Sequence, residues 1–243
     1  MNAIKLSILC AASLIGGIAA RAQSVSPDEV IRKHMEAVGG VDNWNKIKSM
    51  KKVGSVDGNM EVLVTTTVVQ DRAARIDFAM IGTNGYFIVT PKEGWAYFPA
   101  QGMDKVAALT ARQVKLQQGQ MDVKDELLDR SSIAKAEFVG RDTIKNMPCL
   151  KLKITNKNGG EQIYYFDATT YYIVRRQFEA ETQIGDEEIT VNYSNFQKRP
   201  EGIVVAMTST MPMMQDAEVV YEKIEINMPV SDDIFKPGPA NKK

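Results

Sequence analysis

The sequence predicts an α+β protein that is mainly antiparallel sheet: about eleven strands in a strongly curved half-barrel, with helices covering the concave face. Three observations lead there. From about residue 50 onward, short β-branched and aromatic stretches recur at spacings of roughly 10 to 16 residues, each ending at a turn residue. Helical periodicity is confined to the region before residue 50 and to a stretch between 103 and 130. No shift in composition marks a linker. A flat open sheet of so many strands curls or splits, and so little helix can cover only one of its faces.

The elements follow in order. The opening "MNAIKLSILCAASLIGGIAARA" has a short start with Lys5, an apolar run from Leu6 to Ala20 and the triplet Ala20-Arg21-Ala22. It reads as a secretory signal peptide, residues 1–22, cleaved after Ala22. As a membrane span it is too short, because roughly 20 apolar residues are needed. Lipid attachment through Cys10 is the weaker alternative, since Leu9 stands where a small residue is required. Residues 23–243 are then one domain. "SPDEVIRKHMEAVGG" predicts an amphipathic helix with Ser26 as N-cap, Pro27 at the first position and two glycines as the stop. Val30, Ile31, Met35 and Val38 share its apolar side, and "VDNWNKIKSM" adds a short turn that points Trp44 and Ile47 inward.

Strands are predicted in "NMEVLVTTTVVQ", "ARIDFAM", "GYFIVT" and "GWAYFPA". The segments "TARQVKLQQ" and "VKDELLDR" read as helix. Seven more strands run from "AEFVGRDTI" to "AEVVYEKIEINM".

Composition excludes several function classes. The chain without residues 1–22 has 28 basic and 30 acidic residues, a net charge of −2 with no block of one sign. That argues against nucleic acid and against an anionic membrane surface. Cys149 is left without a partner, so no internal disulfide is expected. The one histidine, His34, lies on the first helix, so a nucleophile–histidine arrangement would rest on it alone. No ligand spacing suits a metal, and no glycine-rich loop opens a helix. No catalytic residue and no cofactor are expected.

An apolar site is the remaining reading. Phe87, Trp95, Tyr97, Phe166 and Phe178 lie on neighbouring predicted strands. "MTSTMPMMQ" places four methionines in eight residues, of which Met207, Met211 and Met213 share one parity. Methionine is unbranched and polarizable, and remoulds around varied partners better than Leu, Ile or Val. These eight residues are the expected lining of a cavity.

Several segments in order resemble the outer-membrane lipoprotein carriers and their LolA/LolB-like relatives, in the form common in Bacteroidota. They are "DEVIRKHMEAVGGVDNWNKIKSM", "IVTPKEGWAYFP", "YYFDATTYYIVRR", "VNYSNFQKRPEGI" and "INMPVSDDIFKPG". The resemblance implies a periplasmic protein whose apolar concavity shelters lipid or the acyl chains of lipoproteins, passed between inner- and outer-membrane donor and acceptor proteins; a monomer is expected. It implies that the first helix, through Val30, Ile31 and Met35, is a lid. The gating arginine of that group maps to Arg72 or Arg75. The chain departs from the pattern after Gly202, where "IVVAMTSTM" replaces an aromatic-proline pair. An envelope sensor or protein-docking module on the same fold is the alternative.

Overall fold

The computed structural model describes residues 25–56, 62–124, 126–157, 159–182, 185–212 and 217–238. The expected signal peptide and Met213 lie outside them. Helix α1 spans Pro27–Ala37. The Ser26 hydroxyl accepts from the Glu29 N–H, and Pro27 occupies a position where no backbone donor is needed. Arg32 bridges Glu29 and Glu36 on the solvent side, while Val30, Ile31 and His34 are buried. The helix stops at Gly39, whose φ is +107°. A Cβ there would lie 2.1 Å from the Gly202 carbonyl oxygen, so only glycine lets the helix end close onto that turn. The short helix α2, Val41–Trp44, buries Trp44, whose indole N–H donates to the Val38 carbonyl at 2.9 Å.

Among the described residues thirteen strands are formed. The first six are β1 Ser49–Val56, β2 Val62–Val69, β3 Ala73–Met80, β4 Thr83–Val89, β5 Gly94–Tyr97 and β6 Ala107–Ala108. Helix α3, Ala111–Gln117, follows. The rest are β7 Ile133–Ile144, β8 Met147–Asn156, β9 Glu161–Asp167, β10 Ile173–Thr182, β11 Gly185–Lys198, β12 Val204–Met211 and β13 Ala217–Ile226. They make one antiparallel sheet in the order β6-β5-β4-β3-β2-β1-β13-β12-β11-β10-β9-β8-β7. It consists of two meanders joined where the first strand pairs with the last, Met50 opposite Ile226.

The expected count of eleven is corrected to thirteen. The additions are β6, which is two residues long, and β1, whose "SMKKVGSV" places Lys51 and Lys52 in succession and hides the alternation. "VKDELLDR" is not an α-helix but two single 3₁₀ turns, Glu126–Leu128 and Arg130–Ser132. The Asp129 side chain accepts from the Ser131 N–H there, a local bond that competes with helix continuation.

Strand register assigns each residue to one of two faces. One face carries the helices. Val30 and Ile31 of α1 pack on Leu150, Leu152, Tyr164 and Phe166. Trp44 and Ile47 pack on Met50, Val205, Met207 and Ile224, and Val114 of α3 packs with Met121 on Ala74, Phe87 and Val89. The opposite face is covered in part by the C-terminal segment, whose Phe235 inserts beside Ala73, Tyr86 and Ile88.

Candidate functional site

Among the described residues, the helices and 3₁₀ turns cover only part of their face. Beyond them the same face continues as half-buried side chains, with Phe178 opposite Ile189, Tyr193 opposite Ser209, and Met211 opposite Ala217. Tyr221 on β13 and Lys52 on β1 carry this surface across the junction of the two meanders, and both are half-buried. Where β3, β4 and β5 end, Phe78, Met80, Phe98 and Pro99 enclose an apolar pocket of about 50 Å³. Half-exposed aromatic and methionine side chains arranged in a continuous surface are what an apolar ligand needs.

Arg176 and Lys52 both face this surface, and their surroundings differ. The Arg176 guanidinium stacks over the Phe178 ring at 4.5 Å. Burial works against its charge, but Tyr193, Tyr164 and Glu126 outweigh burial and raise its pKa. Glu126 is in turn tied to Tyr164, and Asn156 Nδ2 donates to it at 2.6 Å. Lys52 has no carboxylate within ion-pair distance among the described residues. Its Nζ lies 5.4 Å from the centre of the Tyr221 ring, and burial pushes its pKa down. The Tyr221 hydroxyl reaches Ser209 Oγ at 3.4 Å and also bonds Thr66.

The residues expected to line a cavity separate into four groups. Phe178 and Met211 lie on the uncovered part of the helix-bearing face. Phe87, Phe166 and Met207 lie on the same face but beneath the helices, at 9%, 0% and 4% exposure, where they fill core. Trp95 and Tyr97 are on the opposite face: they pair with Ile88 and Tyr86 and pack beside the C-terminal segment, because Phe87 and Ala96 take the other parity. Met213 is outside the described residues. The lid residues Val30 and Ile31 are 2% and 1% exposed, and Met35 packs half-buried beside them.

Both candidate gating arginines hold the C-terminal segment instead. Arg72 pairs with Asp232. Arg75 grips Asp77 at 2.6 Å, stacks over Tyr86 and donates to the Ile234 carbonyl at 2.6 Å. The odd parity of Arg75 on β3 places it with Tyr86, away from the helices. Lys52, Arg176, Tyr193 and Tyr221 escaped sequence reasoning. The parity of Met211 leads to Ser209, and the register then leads across to Tyr193.

A second concavity, a cleft of about 690 Å³, lies on the opposite face between β1–β4 and the C-terminal segment. It is lined by Lys51, Arg75, Asp77, Asp233 and Lys236, and these charges are already matched: Arg75 with Asp77, Lys236 with Asp233, and Lys51 with Glu225. His34 is likewise committed, with Nδ1 2.8 Å from the Tyr171 carbonyl oxygen and its ring edge-on to Phe166. Among the described residues no three His, Cys, Asp or Glu side chains are grouped to hold a metal ion, and no helix is long and apolar enough to cross a membrane.

An open antiparallel sheet of two meanders, joined first strand to last and helix-covered on one side, defines the class of fold. It is the LolA-like fold. A LolA superfamily protein from Nitrosomonas europaea superposes with a TM-score of 0.51 at 12% identity, covering 88% of this chain and 99% of that one. A DUF1329 family protein from Desulfovibrio piger gives a TM-score of 0.52 at 12% identity, over 87% of this chain and 98% of the other. At that identity the likeness is one of fold. No family model matches the chain, and no curated protein matches it.

Proposed function

We propose that this protein is an exported periplasmic carrier that shelters lipid, or the acyl chains of lipoproteins, on the uncovered part of its helix-bearing face. In this reading residues 1–22 are the export signal, the sheet is a half-barrel with that face concave, and the work is binding without chemistry. The observation that carries it is the surface of Phe178, Ile189, Tyr193, Met211 and Tyr221, left half-exposed where the helices end. The LolA-like fold supports the reading.

Magnitudes decide how a ligand enters. Lifting α1 would expose Val30 and Ile31, which are almost wholly buried, at about 1.5–3 kcal/mol each. Entry along the uncovered surface avoids that loss. Each acyl methylene buried there contributes about 0.8 kcal/mol, so a short run of contacts suffices for reversible holding. Release follows when an acceptor offers a better apolar surface.

Titration with a fluorescent fatty acid tests the proposal. Saturable binding that is lost in Phe178→Asp and Met211→Asp, both on the uncovered part, is expected. Absence of binding in the parent chain, together with lipid-free protein in native mass spectrometry, would refute it.

A further inference from the structure

Lys52 is the anomaly of the helix-bearing face. It stands in register with Thr66 on β2 and Ile224 on β13, in the row between the Trp44–Ile47–Met50 cluster and the Val56–Val64–Phe78 cluster. Its neighbour Lys51 points to the opposite face, where Glu225 answers it at 4.0 Å. Lys52 meets no such carboxylate among the described residues. Its Nζ lies over the Tyr221 ring, and the Tyr221 hydroxyl is bonded in turn to Ser209 and Thr66. Arg176, on the same face, has Glu126 beside it. A half-buried lysine without a counter-charge is unfavourable unless something brings the charge to it.

We propose that Lys52 receives the anionic head of the bound amphiphile, with its acyl chain running over Met211, Tyr193 and Phe178. The ligand class is then an acyl chain ending in a carboxylate or phosphate, rather than a neutral lipid. This rests on the carrier reading above and names what it carries. Tyr221, Ser209 and Thr66 bring linked hydroxyls to the same face, and hydroxyl groups can donate to an anion's remaining oxygens, as a charged acceptor requires.

The test compares laurate, dodecanol and acetate as competitors of a fluorescent fatty acid, on the parent chain and on Lys52→Met, Lys52→Arg and Lys51→Met. Laurate should bind roughly tenfold or more tightly than dodecanol, the scale of one charge-assisted contact. Acetate should not compete. Lys52→Met should lose the preference by weakening laurate while dodecanol holds, and Lys52→Arg and Lys51→Met should keep it. Equal affinity of the parent chain for laurate and dodecanol, competition by acetate alone, or unchanged laurate binding in Lys52→Met would each overturn the assignment while leaving the carrier reading intact. If neither chain-bearing competitor acts and the fluorescent probe does not bind, the carrier reading itself fails, and the assignment with it.

Discussion

His34 and Lys52 are two ionisable side chains turned toward the same face, and they are treated differently. His34 is sealed beneath α1, with a carbonyl on one ring nitrogen and an aromatic edge contact, so it is a packing residue. Lys52 lies beside a tyrosine ring with no carboxylate partner among the described residues. Burial lowers its pKa, so the folded chain holds that proton less firmly than the unfolded one. In the window between the lowered value and the ordinary 10.5 the unfolded state binds more protons, and stability rises with pH. Below that window the full penalty applies. Replacing Lys52 with Met should therefore raise Tm of the ligand-free protein by about 2–4 °C at pH 7, what roughly 1 kcal/mol means at this size. Thermal melts should show the gain shrinking as the pH approaches 10.5. A gain that grows with pH would contradict the sign. Stability given up at a binding residue is the usual mark of function.

At the scale of elements, α1 and β1 depart most from simple expectation. The cap, the stop and the apolar side of α1 were legible, because they are local signals. Its role was not. Local signals do not say whether it moves, and Val30 and Ile31 are as buried as any core pair. The helix is anchored at its end by the Gly39–Gly202 approach. Gly39→Ala should cost about 2–3 kcal/mol, from the left-handed φ and the contact with the Gly202 carbonyl. Urea unfolding would measure it, and a neutral effect would mean that the turn moves aside freely. In β1 the difficulty lies in the pattern itself. Its Lys-Lys pair sends one lysine to each face, and a strand with charge on both faces does not read as half-buried.

For the whole molecule, the organising fact is that the sheet has two faces packed by different segments. One carries α1, α2, α3 and the proposed binding surface; the other carries the C-terminal segment through Phe235, Arg72 and Arg75. The two faces should fail independently. Phe235→Ala should lose about 3 kcal/mol of stability and leave fatty-acid binding unchanged. Phe178→Asp should do the reverse, abolishing binding at little cost in stability, since Phe178 is already half-exposed. Paired denaturation and binding titrations on the two variants would check this, and a loss of binding in Phe235→Ala would show that the faces are coupled.

Composition and alternation by themselves determined the class: an antiparallel sheet with little helix, a strand at nearly every place where β-branched and aromatic residues recur, and the equal parity of Met207 and Met211. These are local properties of period two and of turn residues. Only the tertiary structure decided which parity faces the helices, so that Phe87 and Trp95, on neighbouring strands, fall on opposite sides. It alone decided where the helices stop, which separates Met207 in the core from Met211 at the uncovered surface. The pairing of β1 with β13 set Lys52 beside Tyr221, two residues far apart in the chain. The physical reason is that alternation gives each strand two equivalent faces, and what distinguishes them is the packing of distant segments, which no short stretch of sequence contains.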